Sequence, residues 1–302
     1  MRVATPITGA DRPALGMLLM LGFCTLAPMS DAFGKILAMD FPVLQLVWVR
    51  FIIQGVVLTA LVVLTRRSFR MTVLGWRLTA LRTVLQIAGI WLMTTGLTYL
   101  PLADAIAIAF VMPFILLLLG HIVLKEEVGP RRLSACGIGF LGTLMVMQPS
   151  FAAVGWAVLY PLGVAVVFAV FILVTRRIAR EADPIAMQAS SGVMAIVGLG
   201  VAYAILPRSG LTDLAPIGNA LPSLLAMGFL GTTAHLLMTW SLRHAPASTL
   251  APMQYLEIPV AAIIGLLVFG DWPNGLALAG IAVTIATGLY ILWRDGKTTE
   301  PT

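Results

Sequence analysis

The chain has 302 residues, of which 60% are hydrophobic and 11% charged, and its formal net charge is +6. A mean hydropathy of +0.99 excludes an ordinary soluble domain, because a soluble fold of this size cannot bury so much apolar surface. We therefore predict a multi-pass membrane protein, in which each span needs about 20 mostly apolar residues.

The positive charge does not indicate a nucleic-acid partner, because Lys and Arg stand at the ends of apolar runs without a basic and aromatic patch. The two cysteines, Cys24 and Cys136, both fall inside apolar runs, so we expect neither a disulfide framework nor a metal site. No pattern calls for a cofactor. The run over residues 15–29 resembles the core of a signal peptide, but nine comparable runs follow it, and we interpret it as the first span.

Helix-breaking residues divide the apolar sequence into ten runs, which predict an all-α integral membrane protein with ten transmembrane helices. The joining segments are short, so we expect one membrane domain, as a monomer or homodimer, whose partners are the bilayer and a small-molecule substrate. The ten predicted spans are residues 13–37, 43–64, 78–99, 103–124, 132–148, 154–175, 184–206, 221–243, 249–269 and 272–292.

The cations are distributed unevenly between the two predicted sides. Lys35, Arg50 and Arg208 fall on one side, and the other sixteen of the 19 Lys and Arg residues fall on the opposite side. This excess predicts that both termini are cytoplasmic and that the chain lies in the cell inner membrane. The cytoplasmic set is Arg2, Arg12, Arg66, Arg67, Arg70, Arg77, Arg82, Lys125, Arg131, Arg132, Arg176, Arg177, Arg180, Arg243, Arg294 and Lys297.

The two halves of the chain echo each other. Residues 92–101, "LMTTGLTYLP", align with residues 237–246, "LMTWSLRHAP", at a constant offset of 145. A repeat of five helices, an odd number, places its second copy upside down in the membrane. We predict two inverted five-helix repeats, residues 14–148 and 153–292, an arrangement typical of secondary transporters with a substrate site between the halves.

Two further segments carry a family resemblance: "YLPLADAIAIAFVMPFILLLLGHIVLKEE" and "HAPASTLAPMQYLEIPVAAIIGLLVFGD". In each, a Pro turn precedes a helix with an internal Pro, and a carboxylate follows its end. The chain resembles the drug/metabolite transporter superfamily, specifically carriers built from two EamA modules. The resemblance implies ten helices, a central cavity and alternating access. "DAFGKIL" with "QLVWVRF" is similar to a branch that includes riboflavin and S-adenosylmethionine uptake carriers.

The most unusual feature is a glutamate, Glu257, within the apolar stretch "TLAPMQYLEIPVAAIIGLLVF". Counting along the helices places Glu257 and His235 at a similar depth, about 12 to 14 Å from the cytoplasmic face. Intramembrane ionisable residues tend to mark transport pathways, so the two are candidates for a proton-coupling or substrate-anchoring pair. The alternative is structural: a protonated Glu257 that bonds a neighbouring helix and a His235 that bonds a backbone carbonyl.

A second group of charges lies toward the outer face, where Asp31 and Lys35 share the first span and Arg50 lies on the second. Asp31 and Arg50 are each about 10 Å deep. We expect Asp31 to pair with Lys35 or Arg50, either to hold helices together or to contact substrate.

Aromatic and amide side chains on the spans that the resemblance places around the cavity are further candidates. Stacking on a flat substrate is one role for Trp91 and Tyr255, and packing is the alternative. Gln86 and Gln254 can orient a ligand or bridge helices. The other aromatic candidates are Trp240, Tyr160 and Phe168.

The predicted function is a secondary transporter of a small organic metabolite, with riboflavin or S-adenosylmethionine uptake as the best cargo class and proton coupling as the candidate role of the Glu257 and His235 pair. An amino-acid or drug efflux carrier of the same family is the alternative. An intramembrane enzyme would need a nucleophile with a base or a metal cluster, and the sequence offers neither HExxH nor GxSxG and no obvious partner for either cysteine. A channel fits scattered single charges less well than alternating access does.

Overall fold

The computed structural model describes residues 12–112, 115–116, 119, 121–122, 130–147, 155–179, 182–206, 213–270, 275–276, 278–280, 282–283, 285–287 and 290. Over these residues the regular secondary structure is helical and contains no strand. Six helices in this part of the chain are long and apolar enough to cross a membrane. The all-α membrane class predicted from the sequence is therefore found.

The first eight helices correspond to the first eight predicted spans. Short 3-10 turns, Gly155–Val158 and Gly218–Ala220, lead into the sixth and the eighth. The helices are α1 (Pro13–Leu37), α2 (Val43–Leu64), α3 (Val73–Leu97), α4 (Leu102–Ala109), α5 (Pro130–Met147), α6 (Leu159–Ala179), α7 (Pro184–Ile205) and α8 (Leu221–His244).

The fourth helix, α4, covers the start of the predicted span 103–124, and the described residues 112, 115–116, 119 and 121–122 further along this span are also helical. At the end of α4, the Phe110 N–H bonds the carbonyls of both Ile106 and Ala107. This shared bond tightens the last turn. Pro113, the internal proline of this predicted span, lies outside the described residues.

The ninth predicted span, residues 249–269, is not one regular helix. It consists of α9 (Ala247–Leu250), a 3-10 segment (Ala251–Leu256), α10 (Glu257–Ile264) and a π segment (Gly265–Phe269). Pro259 explains part of the break, because its ring nitrogen has no hydrogen to donate to a carbonyl of the preceding turn. Glu257 therefore begins an α-helix instead of lying in the middle of one.

The long helices pack as antiparallel pairs: α1 with α8, α2 with α7, and α3 with α6. Glycines allow the close approach. A Cβ on Gly192 of α7 would lie 2.6 Å from the Cα of Gly55 on α2, so the two backbones are in contact there. Small residues at helix contacts are typical of membrane bundles, where close packing replaces the hydrophobic effect.

One end of the bundle, which we call the basic end, holds the starts of α1, α3 and α7 and the ends of α2, α6 and α8. There, an ion pair of 2.6 Å joins Arg67 to Asp183, whose carboxylate also caps α7. Arg82 and Arg176, counted above with the cations of this side, are instead buried, with 0% and 3% exposure. The exposed arginines at this end, among the described residues, are Arg12, Arg66, Arg67, Arg70, Arg77, Arg177 and Arg243.

Candidate functional site

A cavity with a free volume of about 70 Å³ lies inside the bundle and is lined by residues from both halves of the chain. Most of its wall is apolar or aromatic, and four ionisable side chains face it: Asp31 of α1, Arg50 of α2, His235 of α8 and Glu257 of α10. An apolar wall with a few converging polar groups is the usual composition of a ligand site.

Asp31 and Arg50 form a loose ion pair, with 3.8 Å between Oδ1 and Nη1. Lys35, the other partner expected for Asp31, instead donates to the carbonyl of Leu100 at 2.9 Å and lies 4.9 Å from the ring centre of Phe269. Within the described residues neither Asp31 nor Arg50 has a hydrogen bond from its side chain. The pair is therefore close enough to neutralise its charges and loose enough to accept other partners.

Glu257 stands at the first residue of α10 and is 7% exposed. Over the described part of the chain, its carboxyl group has neither a hydrogen bond nor an ion pair. A carboxyl group that faces a cavity without a protein partner is available for a proton or for a bound ligand.

His235 is enclosed by aromatic rings, with centroid distances of 6.0 Å to Phe23, 5.9 Å to Phe168 and 5.9 Å to Phe171. Neither ring nitrogen makes a hydrogen bond of full geometry among the residues described, but a weaker contact with the Gly231 backbone, one turn earlier on α8, is present. His235 and Glu257 line the same cavity but are not hydrogen-bonded to each other. Their direct pairing therefore stays a prediction, as do the roles of all the candidate residues.

The other four candidates lie outside the cavity lining. Trp91 packs edge-on against Tyr160 at 6.3 Å between ring centres. Tyr255, fully buried, packs 5.6 Å from the Phe110 ring. The Gln254 amide nitrogen lies 4.0 Å from the sulfur of Met20, also away from the cavity.

Sequence reasoning did not single out Phe23, whose ring stacks on Phe168 at 6.3 Å with an interplanar angle of 19°. The two phenylalanines are separated by 145 residues, the offset of the internal repeat (168 − 23 = 145). Ile90 and His235, both in the cavity wall, are related by the same offset (235 − 90 = 145). Applying the offset to Phe168 would have found Phe23 from the sequence.

A second polar cluster, of which the sequence singled out only Gln86, surrounds Arg82 of α3, one of the largest fully buried side chains among the described residues. Its Nε donates to Thr175 at 3.0 Å. Nη1 donates to Ser191 at 2.8 Å and to Gln86 at 3.4 Å. We call Arg82 and its five acceptors the Arg82 layer: Arg82, Gln86, Thr175, Gln188, Ser191 and Thr239.

The Arg82 layer is satisfied by neutral groups alone. Nη2 donates to Gln188 and, at 3.5 Å, to Thr239, and the guanidinium carbon lies 4.7 Å from the centre of the Phe171 ring. No carboxylate in the described residues lies within ion-pair distance of it. The sequence did contain a signal for this cluster. Arg82 lies four residues inside the predicted span 78–99, and Gln86 follows it one helical turn later.

Comparison with known proteins gives a consistent picture. The EamA-like transporter family model matches residues 14–148 and 155–293. A riboflavin transporter of Rhizobium johnstonii is 28% identical over 216 residues, which cover 70% of this chain and 68% of that protein. An S-adenosylmethionine uptake transporter of Rickettsia felis is 25% identical over 217 residues, 72% of each chain.

A crystal structure of another protein is similar in fold, with a TM-score of 0.70 over 95% of this chain and 98% of that one. The identity to that protein is 18%, so the likeness shows the fold alone. These comparisons favour a transporter over an enzyme.

Proposed function

This chain belongs to the EamA-like transporter family, and we propose that it is a secondary active transporter that moves a small organic metabolite across the cell inner membrane by alternating access. The observation that carries the proposal is the cavity between the two halves. It has an apolar wall and places Asp31, Arg50, His235 and Glu257 around one space.

The proposed architecture is ten helices in two inverted five-helix repeats, about residues 14–148 and 153–292. Helix pairing supports it. A two-fold relation between the repeats would superimpose α1 on α6 and α3 on α8. The α1–α8 pair would then coincide with the α6–α3 pair, and both pairs exist. The α2–α7 pair maps onto itself under the same relation. This is the pattern expected when two repeats are related by a two-fold axis.

The proposed orientation places the basic end, and with it both termini, in the cytoplasm. Among the described residues, seven exposed arginines lie at that end, whereas Lys35 and the exposed Asp40 and Asp213 lie toward the opposite end. The excess of cations on one side is the feature that orients membrane proteins during insertion.

The proposed cargo is a vitamin or nucleoside-like metabolite with a flat ring system, of the riboflavin or S-adenosylmethionine type. The named relatives transport these two compounds. The stacked rings of Phe23 and Phe168 offer an aromatic surface for such a ring. Glu257, unpartnered among the described residues, and the loose Asp31–Arg50 pair supply the polar contacts for the rest of the molecule.

Counterflow in proteoliposomes tests the proposal. Purified protein is reconstituted with unlabelled riboflavin or S-adenosylmethionine inside, and the entry of labelled compound from outside is measured. We expect saturable counterflow with one of the two and none with empty liposomes. Flux that does not saturate would indicate a channel. Absence of counterflow with both compounds and with a panel of amino acids and sugars would refute the carrier function.

A further inference from the structure

The Arg82 layer lies between the cavity and the basic end. On α3, Arg82 is about 10 Å closer to the basic end than Gly89, which lines the cavity. On α8, Thr239 lies one turn beyond the cavity residue His235 and donates to the His235 carbonyl at 2.8 Å. On α6, Thr175 lies two turns beyond Phe168, which also lines the cavity.

The layer closes this side of the cavity. Arg82, Thr175, Gln188, Ser191 and Thr239 are each 0% exposed and Gln86 is 1% exposed, so solvent does not reach them from either direction. Their hydrogen bonds join α3 to α6, α7 and α8. A ligand in the cavity can reach the basic end by this route only if α3 separates from these three helices.

The internal repeat provides a counterpart for the layer near the opposite end. Adding or subtracting 145 converts Arg82 to Met227, Thr175 to Ser30 and Thr239 to Thr94. These three counterparts also lie together, since the Ser30 hydroxyl donates to the Met227 carbonyl at 3.0 Å. A Cβ on Gly34 would lie 3.9 Å from both the Met227 sulfur and the Thr94 hydroxyl.

The two layers have the same position in their repeats but different chemistry. A methionine stands at the position that an arginine occupies in the other repeat. The counterpart of Gln86 is Gly231, which has no side chain. We call Met227, Ser30 and Thr94 the Met227 layer.

We propose that the Arg82 layer is the inner gate of the carrier and the Met227 layer its outer counterpart, so that the inner gate is held by charged hydrogen bonds that the outer gate lacks. This inference rests on the carrier function proposed above. It predicts a resting preference for a cavity closed to the cytoplasm, which suits uptake of cargo from outside.

The choice of acceptors explains how such a gate can both hold and open. A buried ion pair would leave an uncompensated carboxylate when the helices separate. Here every acceptor is neutral, and an exposed guanidinium is well solvated by water. Opening therefore exchanges hydrogen bonds with protein for hydrogen bonds with water, a change that is small for each bond.

The gate is tested by the side from which a cavity cysteine can be labelled. The background lacks native thiols (Cys24→Ala, Cys136→Ser) and carries Ile90→Cys in the cavity wall. A membrane-impermeant maleimide is applied to right-side-out and to inverted vesicles without cargo. The readout is the ratio of labelling from the cytoplasmic face to labelling from the outer face.

Arg82→Met gives the inner layer the residue of the outer layer. We expect this change to raise the ratio at least about tenfold, because it removes all five hydrogen bonds of Arg82 and the loss of one charged hydrogen bond alone corresponds to about tenfold. The matched control is Arg77→Met, which removes the same charge from an exposed position of the same helix and should leave the ratio unchanged.

If Arg82→Met does not reach the membrane, two milder variants test whether the Arg82 layer acts as a gate. Thr175→Val and Ser191→Ala each remove one acceptor and keep the arginine. A higher ratio in either supports the gate. A layer with only a structural role would lower the amount of folded protein and leave the ratio unchanged, which would overturn the inference. Counterflow of the same samples separates this result from a failure of the carrier function.

Discussion

Arg50 and Arg82 are both buried in the bundle, with 5% and 0% exposure, but their surroundings differ completely. Arg50 lines the cavity, lies 3.8 Å from Asp31 and has no hydrogen bond from its guanidinium among the described residues. Arg82 lies outside the cavity lining and donates to five neutral side chains.

The difference shows two ways to keep a cation inside a membrane protein. Arg50 depends on the charge of one carboxylate, and its unused donors can turn toward a ligand. Arg82 depends on many weak acceptors that come from four helices, so its position is fixed by the packing of those helices. Charge neutralisation suits a binding site, whereas distributed hydrogen bonds suit a contact that holds helices together.

The largest effect is expected where Arg50 loses its carboxylate. Asp31→Asn should lower the free energy of unfolding by about 3 to 5 kcal/mol, because it leaves a buried cation uncompensated. The measurement is thermal unfolding in detergent, with Asp40→Asn in an exposed turn as the control. Adding Arg50→Met should restore most of the loss. Equal melting temperatures for Asp31→Asn and the parent would show that Arg50 does not depend on Asp31.

A smaller loss is expected when Arg82 keeps its charge but loses its shape. Arg82→Lys retains three donors of five, so we expect roughly 1.5 to 3 kcal/mol less stability. Arg77→Lys, at an exposed position on the same helix, is the control. If the lysine variant were as stable as the parent, charge alone would suffice in the Arg82 layer and the comparison with Arg50 would fail.

The packing of Arg50 against α8 gives a third test. A Cβ on Gly231 would lie 2.5 Å from the Arg50 Nε, so Gly231→Ala must displace the guanidinium. We expect a cost of about 1 to 2 kcal/mol, within the range for overpacking. Gly198→Ala on α7, where nothing lies within 4 Å of the added Cβ, should be neutral or slightly stabilising. A neutral Gly231→Ala would indicate that Arg50 moves freely.

The smallest effect on stability is expected at Glu257, which has no partner to lose among the described residues. Glu257→Gln should change the free energy of unfolding by less than about 0.5 kcal/mol. Transport should respond strongly, because the amide cannot carry a proton. We expect uptake by the variant to lose its dependence on external pH, with Asp213→Asn as the exposed control. Unchanged uptake with unchanged pH dependence would remove the coupling role.

The candidate residues show how far a sequence can locate a site. Depth follows from residue number, and His235 and Glu257, predicted to lie at one level, do line the same cavity. Direction around a helix is harder to predict. Tyr255 and Gln254 precede Glu257 in the chain but point elsewhere, because the backbone changes from 3-10 to α geometry between Leu256 and Glu257.

Arg82 shows a different limit. Its nearness to the end of an apolar run made it resemble an ordinary cytoplasmic cation. The acceptors that make it an internal residue are up to 157 positions away in the chain, and each is a common polar residue on an apolar helix. No local pattern predicts that they meet, although the repeat offset does identify Met227 as the position to compare.

By itself, the sequence determined the membrane class, the repeat offset and the family, because hydropathy, residue spacing and motifs are properties of the chain read in one dimension. The tertiary structure alone decided that Arg50 pairs with Asp31 while Arg82 is held by neutral groups. That distinction depends on which helix faces which and at what rotation, and in a bundle these are set by the contacts of helices far apart in the sequence.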